Sequence, residues 1–190
     1  MCYGEGSLAN VADEMAAISA VLIRQAKARG LTVGAFLHSD EAKAFSLVLA
    51  DGNARYSALS RATEEAIAKD AGMTVAINAA RHALAGKSDY SAGAYFWDGA
   101  DLKSNLTNHP KVLLGIRFSF KEHDIYAVGD HKIKEKTEYW MVKDKTGKTV
   151  RGAERGRYDC TYESTAAFGG TVFWRFTPEF LKATGNKEFK

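Results

Sequence analysis

Apolar residues recur at helical spacing through the first two-fifths of the chain, and this periodicity predicts a helical amino-terminal half. The clearest run begins near Asn10 and Asp13, which are favourable helix-start residues, and it ends at Gly30. Its apolar positions are Val11, Met15, Ile18 and Leu22. Three further helices are predicted over residues 39–50, 60–69 and 74–85.

The helical period disappears after Gly86. Residues 87–111 are rich in small, polar and aromatic side chains, so we expect a long ordered loop there. Long loops inside compact domains are commonly functional. This loop is therefore the first place to expect a binding cleft.

Alternating apolar and polar residues follow the loop and predict antiparallel strands. The alternation runs from Ile116 to Phe120, and other strand-like runs read DIYAV, TEYWMV and GGTVFWRF, with a turn expected at residues 145–148. Helices followed by strands predict an α+β fold. We expect one domain over residues 1–190, with a helical part at about 7–86, a loop at 87–111 and strands at 112–180 around a cleft.

Composition is that of an ordinary globular chain: 46% of the 190 residues are hydrophobic and 26% are charged. No apolar run approaches the roughly 20 residues that span a bilayer, so we expect no membrane insertion. No signal-peptide pattern precedes the first helix, which favours either an intracellular domain or a piece of a larger secreted protein. Cys2 and Cys160 are compatible with one disulfide or with two thiols.

The net charge of +3 is unevenly distributed. Nine Lys or Arg residues and four Asp or Glu residues lie between residues 131 and 157. One interpretation is a solvated basic β surface. The other is attraction to an anionic polymer such as cell wall or nucleic acid.

Two glutamates near the amino terminus are candidate catalytic residues. Glu14 borders the apolar stripe of the first long helix, where partial removal from water would favour a protonated carboxyl and suit a general acid. An ordinary edge residue with a salt bridge is the alternative. Glu5 lies between Gly4 and Gly6, which would allow a bulky ligand to approach the backbone, unless this segment is a solvated terminus.

The two glutamates could work as a pair only if the chain folds back between them. Nine residues of straight helix would separate Glu5 from Glu14 by about 13 Å. The paired carboxyls of a glycosidase lie about 5 to 9.5 Å apart. A loop over residues 5–9 would satisfy this requirement.

The sequence DYSAGAYFWDG is a second candidate constellation, because aromatic rings stack on sugars and carboxylates accept hydrogen bonds from hydroxyl or N-acetyl groups. Its candidate substrate-binding residues are Tyr90, Tyr95, Phe96, Trp97 and Asp98. Packing of buried aromatic side chains is the alternative interpretation. A third stretch, YESTAAFGGTVFWRF, contributes Ser164 as a candidate, although its strand-like half is predicted to be core.

The histidines do not form a metal-binding motif. The five positions are 38, 82, 109, 123 and 131, without an HExxH pattern or another ligand pair at helical spacing. No glycine-rich phosphate loop is present, and we expect neither a metal nor an organic cofactor. A metal-dependent nuclease built on these histidines is a weaker alternative.

Several of these segments together resemble the SleB-type cell-wall hydrolase family. The matching stretches are YGEGS, MAAISAVLIRQAKARG, the pair Phe45-Ser46, AARHALAGKSDYSAGAYFW and KEHDIYAV, in the family's order across residues 3–126. YSAGAYFWDGADLKSN and STAAFGGTVFW resemble, more narrowly, lysozyme-type domains at the ends of type VI secretion effectors.

The resemblance implies a lysozyme-like domain that cleaves the glycan strand of peptidoglycan with one glutamate as general acid and base. By motif that residue is Glu5, and Tyr95, Phe96 and Asp98 match the family's loop aromatics and acid. The usual arginine after the glutamate is absent, since the chain reads Glu5-Gly6-Ser7. Which of Glu5 and Glu14 is the acid therefore stays open.

The implied setting is the periplasm of a target bacterium, reached as part of a larger secreted protein. Peptidoglycan is the expected partner, together with a cognate immunity protein and secretion-system components, and no nucleic acid. Two carboxylates favour a muramidase that hydrolyses the MurNAc–GlcNAc bond. The alternatives are a lytic transglycosylase, which needs one glutamate, and a non-catalytic wall-binding module.

Overall fold

The fold is α+β, as the sequence predicts: a helical half over residues 2–84 is followed by a mostly β half. The structure is a computed structural model that describes residues 1–49, 52–87 and 89–190. The prediction of a single domain over 1–190 stays a prediction.

The helical half consists of two longer helices, α2 and α7, and several short ones. Their bounds are α1 Cys2–Glu5, α2 Ala12–Ala28, α3 Val33–Leu37, α4 Asp40–Phe45, α5 Ala54–Arg61, α6 Glu64–Lys69 and α7 Ala71–Leu84. A 3-10 turn, Leu47–Leu49, follows α4. α2 packs on α7, and its apolar stripe is completely buried at Met15, Ile18 and Val21. This packing confirms the long amphipathic helix, which stops two residues before Gly30.

Three predicted helix boundaries are wrong, and side-chain caps at the starts of α6 and α7 explain two of them. The helix predicted over 39–50 ends at Phe45, and residue 50 lies outside the described residues. The helix predicted over 60–69 is two helices, because Thr63 accepts a hydrogen bond from the Ala66 N–H and starts α6. Asp70 caps α7 in the same way, so that helix begins at Ala71.

Residues 87–111 form more regular structure than the predicted loop. This segment contains β1 Phe96–Asp98, α8 Asp101–Ser104 and α9 Pro110–Leu113. β1 pairs with a strand more than seventy residues later, with Trp97 opposite Phe173. A local sequence pattern does not reveal a three-residue strand that depends on so distant a partner.

The β half contains two separate sheets. Its elements are β2 Ile116–Arg117, β3 Lys136–Lys143, β4 Thr149–Tyr158, β5 Tyr162–Phe168, β6 Thr171–Phe176 and α10 Pro178–Thr184. One sheet has the strand order β1-β6-β5-β2, and the other is the β3–β4 hairpin. The turn expected at residues 145–148 connects that hairpin.

The prediction of purely antiparallel strands is wrong for one pair, because β2 and β5 run parallel. The alternation from Ile116 to Phe120 gives a strand of only two residues, and DIYAV is a turn region. Trp174 and Phe173 on β6 are completely buried, which confirms that the strand-like part of the third candidate stretch is core.

Both cysteines are buried free thiols in this structure. Cys2 packs in the helical core, whereas Cys160 lies in the β half, where its thiol faces the Ile116 carbonyl. Burial raises the pKa of Cys160 to about 11. Among the described residues, no helix combines the length and apolar character needed to cross a membrane.

Candidate active site

A cleft of about 530 Å³ lies where the two halves meet. It draws on α1, α2 and α4 from the helical half, and on β1 and the β5–β6 turn from the other. Its lining includes Glu5, Glu14, Ser46, Trp97, Asp98 and Lys111. Four of the predicted site residues, namely both glutamates, Trp97 and Asp98, are thus brought together.

The chain folds back between Glu5 and Glu14, as their pairing requires. α1 ends at Glu5, and the Ser7 backbone N–H reaches Glu14 Oε2 at 3.0 Å. Arg55 holds this turn by donating to the carbonyl oxygens of Gly6 and Ser7, at 2.7 and 3.0 Å. A guanidinium from α5 therefore supports the turn between Glu5 and Glu14.

The glycines beside Glu5 serve packing within the protein. A Cβ on Gly4 would lie 2.8 Å from Val48, and one on Gly6 would lie 3.0 Å from the Cys2 carbonyl oxygen. The prediction that they admit a bulky ligand is therefore wrong for these positions. Their small size lets α1 lie against its neighbours, which fixes where Glu5 projects.

Glu5 is half-buried in the cleft and is held through both carboxyl oxygens. The Ser46 hydroxyl donates to Oε1, and the Trp97 indole N–H donates to Oε2 at 3.3 Å. Phe45 packs edge-on against Trp97, with ring centroids 4.8 Å apart. Glu5 thus has a fixed orientation beside an aromatic wall and remains partly accessible from the cleft.

Glu14 is completely buried at the base of the cleft and accepts four hydrogen bonds. Oε2 accepts from the Ser7 N–H and hydroxyl, at 3.0 and 2.6 Å. Oε1 accepts from the Gly170 N–H at 3.0 Å and from the Thr171 hydroxyl at 2.7 Å. Because two of these donors are backbone N–H groups, the contacts fit the ionised carboxylate.

Glu14 therefore joins three segments of the fold. It lies in the first turn of α2, where a negative charge is favourable, and links the turn after Glu5 to the β5–β6 turn. The expectation that Glu14 is a general acid stays a prediction. The side chain organises the cleft, and its oxygens are occupied by protein donors.

Gly169 must be a glycine for Glu14 to fit. Its φ of +58° is in the left-handed region, and an added Cβ would lie 2.4 Å from Glu14 Oε2.

Replacing this glycine tests the buried carboxylate without changing it. We expect Gly169→Ala to lower the free energy of unfolding by about 2 kcal/mol, because backbone strain and the clash add. Gly147→Ala is the matched control, since its φ is +82° with open space around the site. Equal losses in urea titrations of the two variants would contradict the close approach.

Asp98 is the third carboxylate in the cleft and is held by basic groups. Lys111 Nζ lies 2.8 Å from Oδ1, and His109 Nε2 lies 3.4 Å from the same oxygen and from Asp101 Oδ2. Within the described parts of the chain, Asp98 Oδ2 is buried and has no hydrogen-bond partner. That oxygen is therefore closed off from the cleft, and the exposed edge of Asp98 belongs to the group that pairs with Lys111.

The same cluster is the one place where the described residues could gather around a cation. Ligand atoms of Asp98, Asp101 and His109 lie within 4.8 Å of one another. The ammonium group of Lys111 already occupies Asp98 Oδ1, so an added cation would meet like charge.

The contact between Asp98 and His109 predicts that the stability of the protein depends on pH. The hydrogen bond from His109 to Asp98 and the charge of Asp98 raise the pKa of His109, although burial lowers it. The contact therefore stabilises the fold fully at pH values below 6.5, the pKa of His109 in the unfolded chain. This stabilisation is lost as the pH rises through the higher pKa of His109 in the folded protein.

We expect the stability advantage of the wild type over His109→Gln to shrink from acidic to alkaline pH. Denaturant titrations across that range would measure it. The exposed His82→Gln variant is the control for general effects of losing an imidazole. An advantage that grows with pH would contradict the assignment.

Four predicted substrate-binding residues lie outside the cleft lining. Tyr90 packs against Phe168, and Tyr95 donates a hydrogen bond to Glu188. Phe96 lies between the rings of Tyr162 and Phe176. Ser164 is buried, where its hydroxyl contacts the Ser119 N–H and His123 Nδ1.

Sequence reasoning missed several cleft residues: Ser7, Ser46, Asp101, Lys111, Tyr126 and Thr171. Ser46 had a signal, because the Phe45-Ser46 pair is part of the resemblance to the SleB-type family. No sequence pattern indicated Lys111 or Thr171, since only tertiary packing brings these residues to the carboxylates.

Comparisons of the chain with protein-family models, with curated proteins and with solved structures find no match.

Proposed function

We propose that this chain cleaves the MurNAc–GlcNAc bond of peptidoglycan, with Glu5 as general acid and base. The proposal depends on one observation: Glu5 is partly accessible in the cleft and is oriented by Ser46 and Trp97. The carboxylates of Glu14 and Asp98 line the same cleft. The resemblance of YGEGS and the following segments to the SleB-type family supports the same residue.

In the proposed reaction, protonated Glu5 donates its proton to the glycosidic oxygen as that bond breaks. Positive charge then develops on the sugar ring, and the resulting Glu5 carboxylate removes a proton from the attacking hydroxyl group. The Trp97 wall contacts the apolar face of the saccharide.

The attacking hydroxyl group decides between two enzyme classes. Attack by water gives a reducing MurNAc end, as in a muramidase. Attack by the 6-hydroxyl of the same sugar closes an anhydro ring and consumes no water, as in a lytic transglycosylase.

The saturation of Glu14 by four protein donors favours the transglycosylase. A carboxylate so engaged is unsuited to activating water, and the intramolecular reaction needs only Glu5. The muramidase remains the other form of the proposal.

Product analysis distinguishes the two forms. Purified Gram-negative peptidoglycan is digested with the wild type, and the soluble products are examined by mass spectrometry with and without borohydride reduction. Reducible muropeptides would identify a hydrolase. Products lighter by one water molecule and resistant to reduction would identify a transglycosylase.

The proposed setting is the periplasm of a target bacterium, where peptidoglycan is accessible. A cognate immunity protein and components of a secretion system are the proposed protein partners. This part of the proposal is supported by the resemblance to type VI effector domains alone. It is tested by whether directing the chain to the periplasm lyses cells while cytoplasmic expression does not.

A further inference from the structure

The β3–β4 hairpin lies apart from the candidate active site and forms its own two-stranded sheet. Its base packs on α10, where a Cβ added to Gly156 would lie 3.1 Å from Ala183 Cα. Neither strand of the hairpin pairs with the four-stranded sheet. Isolated two-stranded hairpins are marginally stable in water. The presence of this separate hairpin in the fold therefore calls for an explanation.

The hairpin exposes apolar side chains on both of its faces. Tyr139, Trp140, Met141 and Val142 are 37–60% exposed. Arg155 stacks over Trp140 at 4.3 Å from the ring centroid, and Arg151 lies over Tyr139 at 5.4 Å. These exposed apolar residues, divided between the two faces, are candidate contacts for a partner.

The net positive charge of the protein resides on this hairpin and the residues beside it. Residues 132–157 carry nine Lys or Arg and four Asp or Glu, which gives +5. The other residues carry 17 Lys or Arg and 19 Asp or Glu, which gives −2.

The basic groups at the hairpin turn are available to a partner. Within the described residues, Lys145 and Lys148 are exposed and form no ion pair. Three of the four acids in this segment, by contrast, have partners within it. Asp144 accepts hydrogen bonds from its own turn, and Glu135 and Glu154 pair with Arg157.

We propose that the β3–β4 hairpin is a docking arm for the peptidoglycan sacculus, an inference that rests on the proposed function. The arm combines exposed aromatic and aliphatic groups, which suit sugar rings, with ammonium and guanidinium groups that suit the carboxylates of the peptide stems. Glu135, Glu138 and Glu154 are interspersed among the basic residues. This mixed pattern fits widely spaced carboxylates better than a continuous phosphate backbone.

The test measures binding to the wall without requiring catalysis. Purified sacculi are sedimented with Glu5→Gln protein, and the bound fraction is compared with that of Glu5→Gln carrying Lys145→Glu and Lys148→Glu. We expect about tenfold weaker binding for the turn variant, and binding by the parent that declines with added salt. The control carries Lys69→Glu and Lys87→Glu, which make the same charge change on exposed lysines elsewhere.

Weaker sedimentation of the turn variant alone would support the arm. Equal sedimentation of turn variant and control would overturn it, as would hairpin-dependent binding of a DNA duplex without binding of sacculi. A second variant, Trp140→Ala, tests the aromatic contribution, and we expect it to weaken sacculus binding at high salt. The sedimentation assay measures binding and does not depend on catalysis. If the wild type proved inactive, the proposed function would be refuted, but the assay would still show whether the hairpin binds the wall.

Discussion

Glu5→Gln is expected to lower the rate of peptidoglycan cleavage by at least about 100-fold, the usual contribution of a general acid or base. An amide of the same shape can accept from the Ser46 hydroxyl but has no acidic proton to transfer to the glycosidic oxygen. Release of soluble glycan fragments from purified peptidoglycan measures the rate. We expect a smaller loss of thermal stability than for Glu14→Gln, because Glu5 is half-buried rather than completely buried.

Two controls separate chemistry from folding in this experiment. Glu64→Gln removes an exposed carboxylate at the start of α6 and is expected to keep full activity. Trp97→Phe removes one donor to Glu5 while keeping an aromatic wall, and is expected to slow cleavage less than Glu5→Gln. A Glu5→Gln protein with wild-type rate would exclude Glu5 as the acid.

Glu14→Gln is expected to cause the largest loss of stability, about 4 kcal/mol, because an amide has one acceptor oxygen where the carboxylate uses two. Either the Ser7 donors or the Gly170 and Thr171 donors would then face an NH₂ group in a buried site. For a chain of this size the melting temperature should drop by about 10 °C. Calorimetry of the two proteins measures the difference.

The stability result distinguishes an organising glutamate from a catalytic one. Glu14→Gln should retain activity at a temperature where it remains folded, apart from effects on the position of the Ser7 turn. The exposed Glu64→Gln variant should change the free energy of unfolding by less than about 0.5 kcal/mol. A fully stable but inactive Glu14→Gln protein would contradict the organising role and return Glu14 to the chemistry.

Sequence reasoning succeeded where the signal is local and repeated. α2 was predictable because its apolar spacing persists through several turns, and β3 and β6 because each is rich in aromatic and β-branched residues. The β3–β4 connection was predictable from its turn residues. β4 has no such signal, since TVRGAERGRY contains two glycines and charged residues without alternation.

The candidate site was only partly predictable because distant contacts decide it. Helical spacing placed Glu14 beside the apolar stripe, but the donors on Gly170 and Thr171 come from a turn more than 150 residues away. The aromatic loop looked like one surface in sequence, yet Trp97 faces the cleft and Phe96 packs in the β half. Neighbouring residues in a strand have different surroundings, and sequence alone did not separate them.

The most direct test of the central claim compares the soluble products of peptidoglycan after digestion with wild type, Glu5→Gln and Glu14→Gln. We predict that the wild type releases muropeptides ending at MurNAc, that folded Glu14→Gln releases the same products, and that Glu5→Gln releases none. Intact sacculi after treatment with folded wild type, or equal release by Glu5→Gln, would contradict the account.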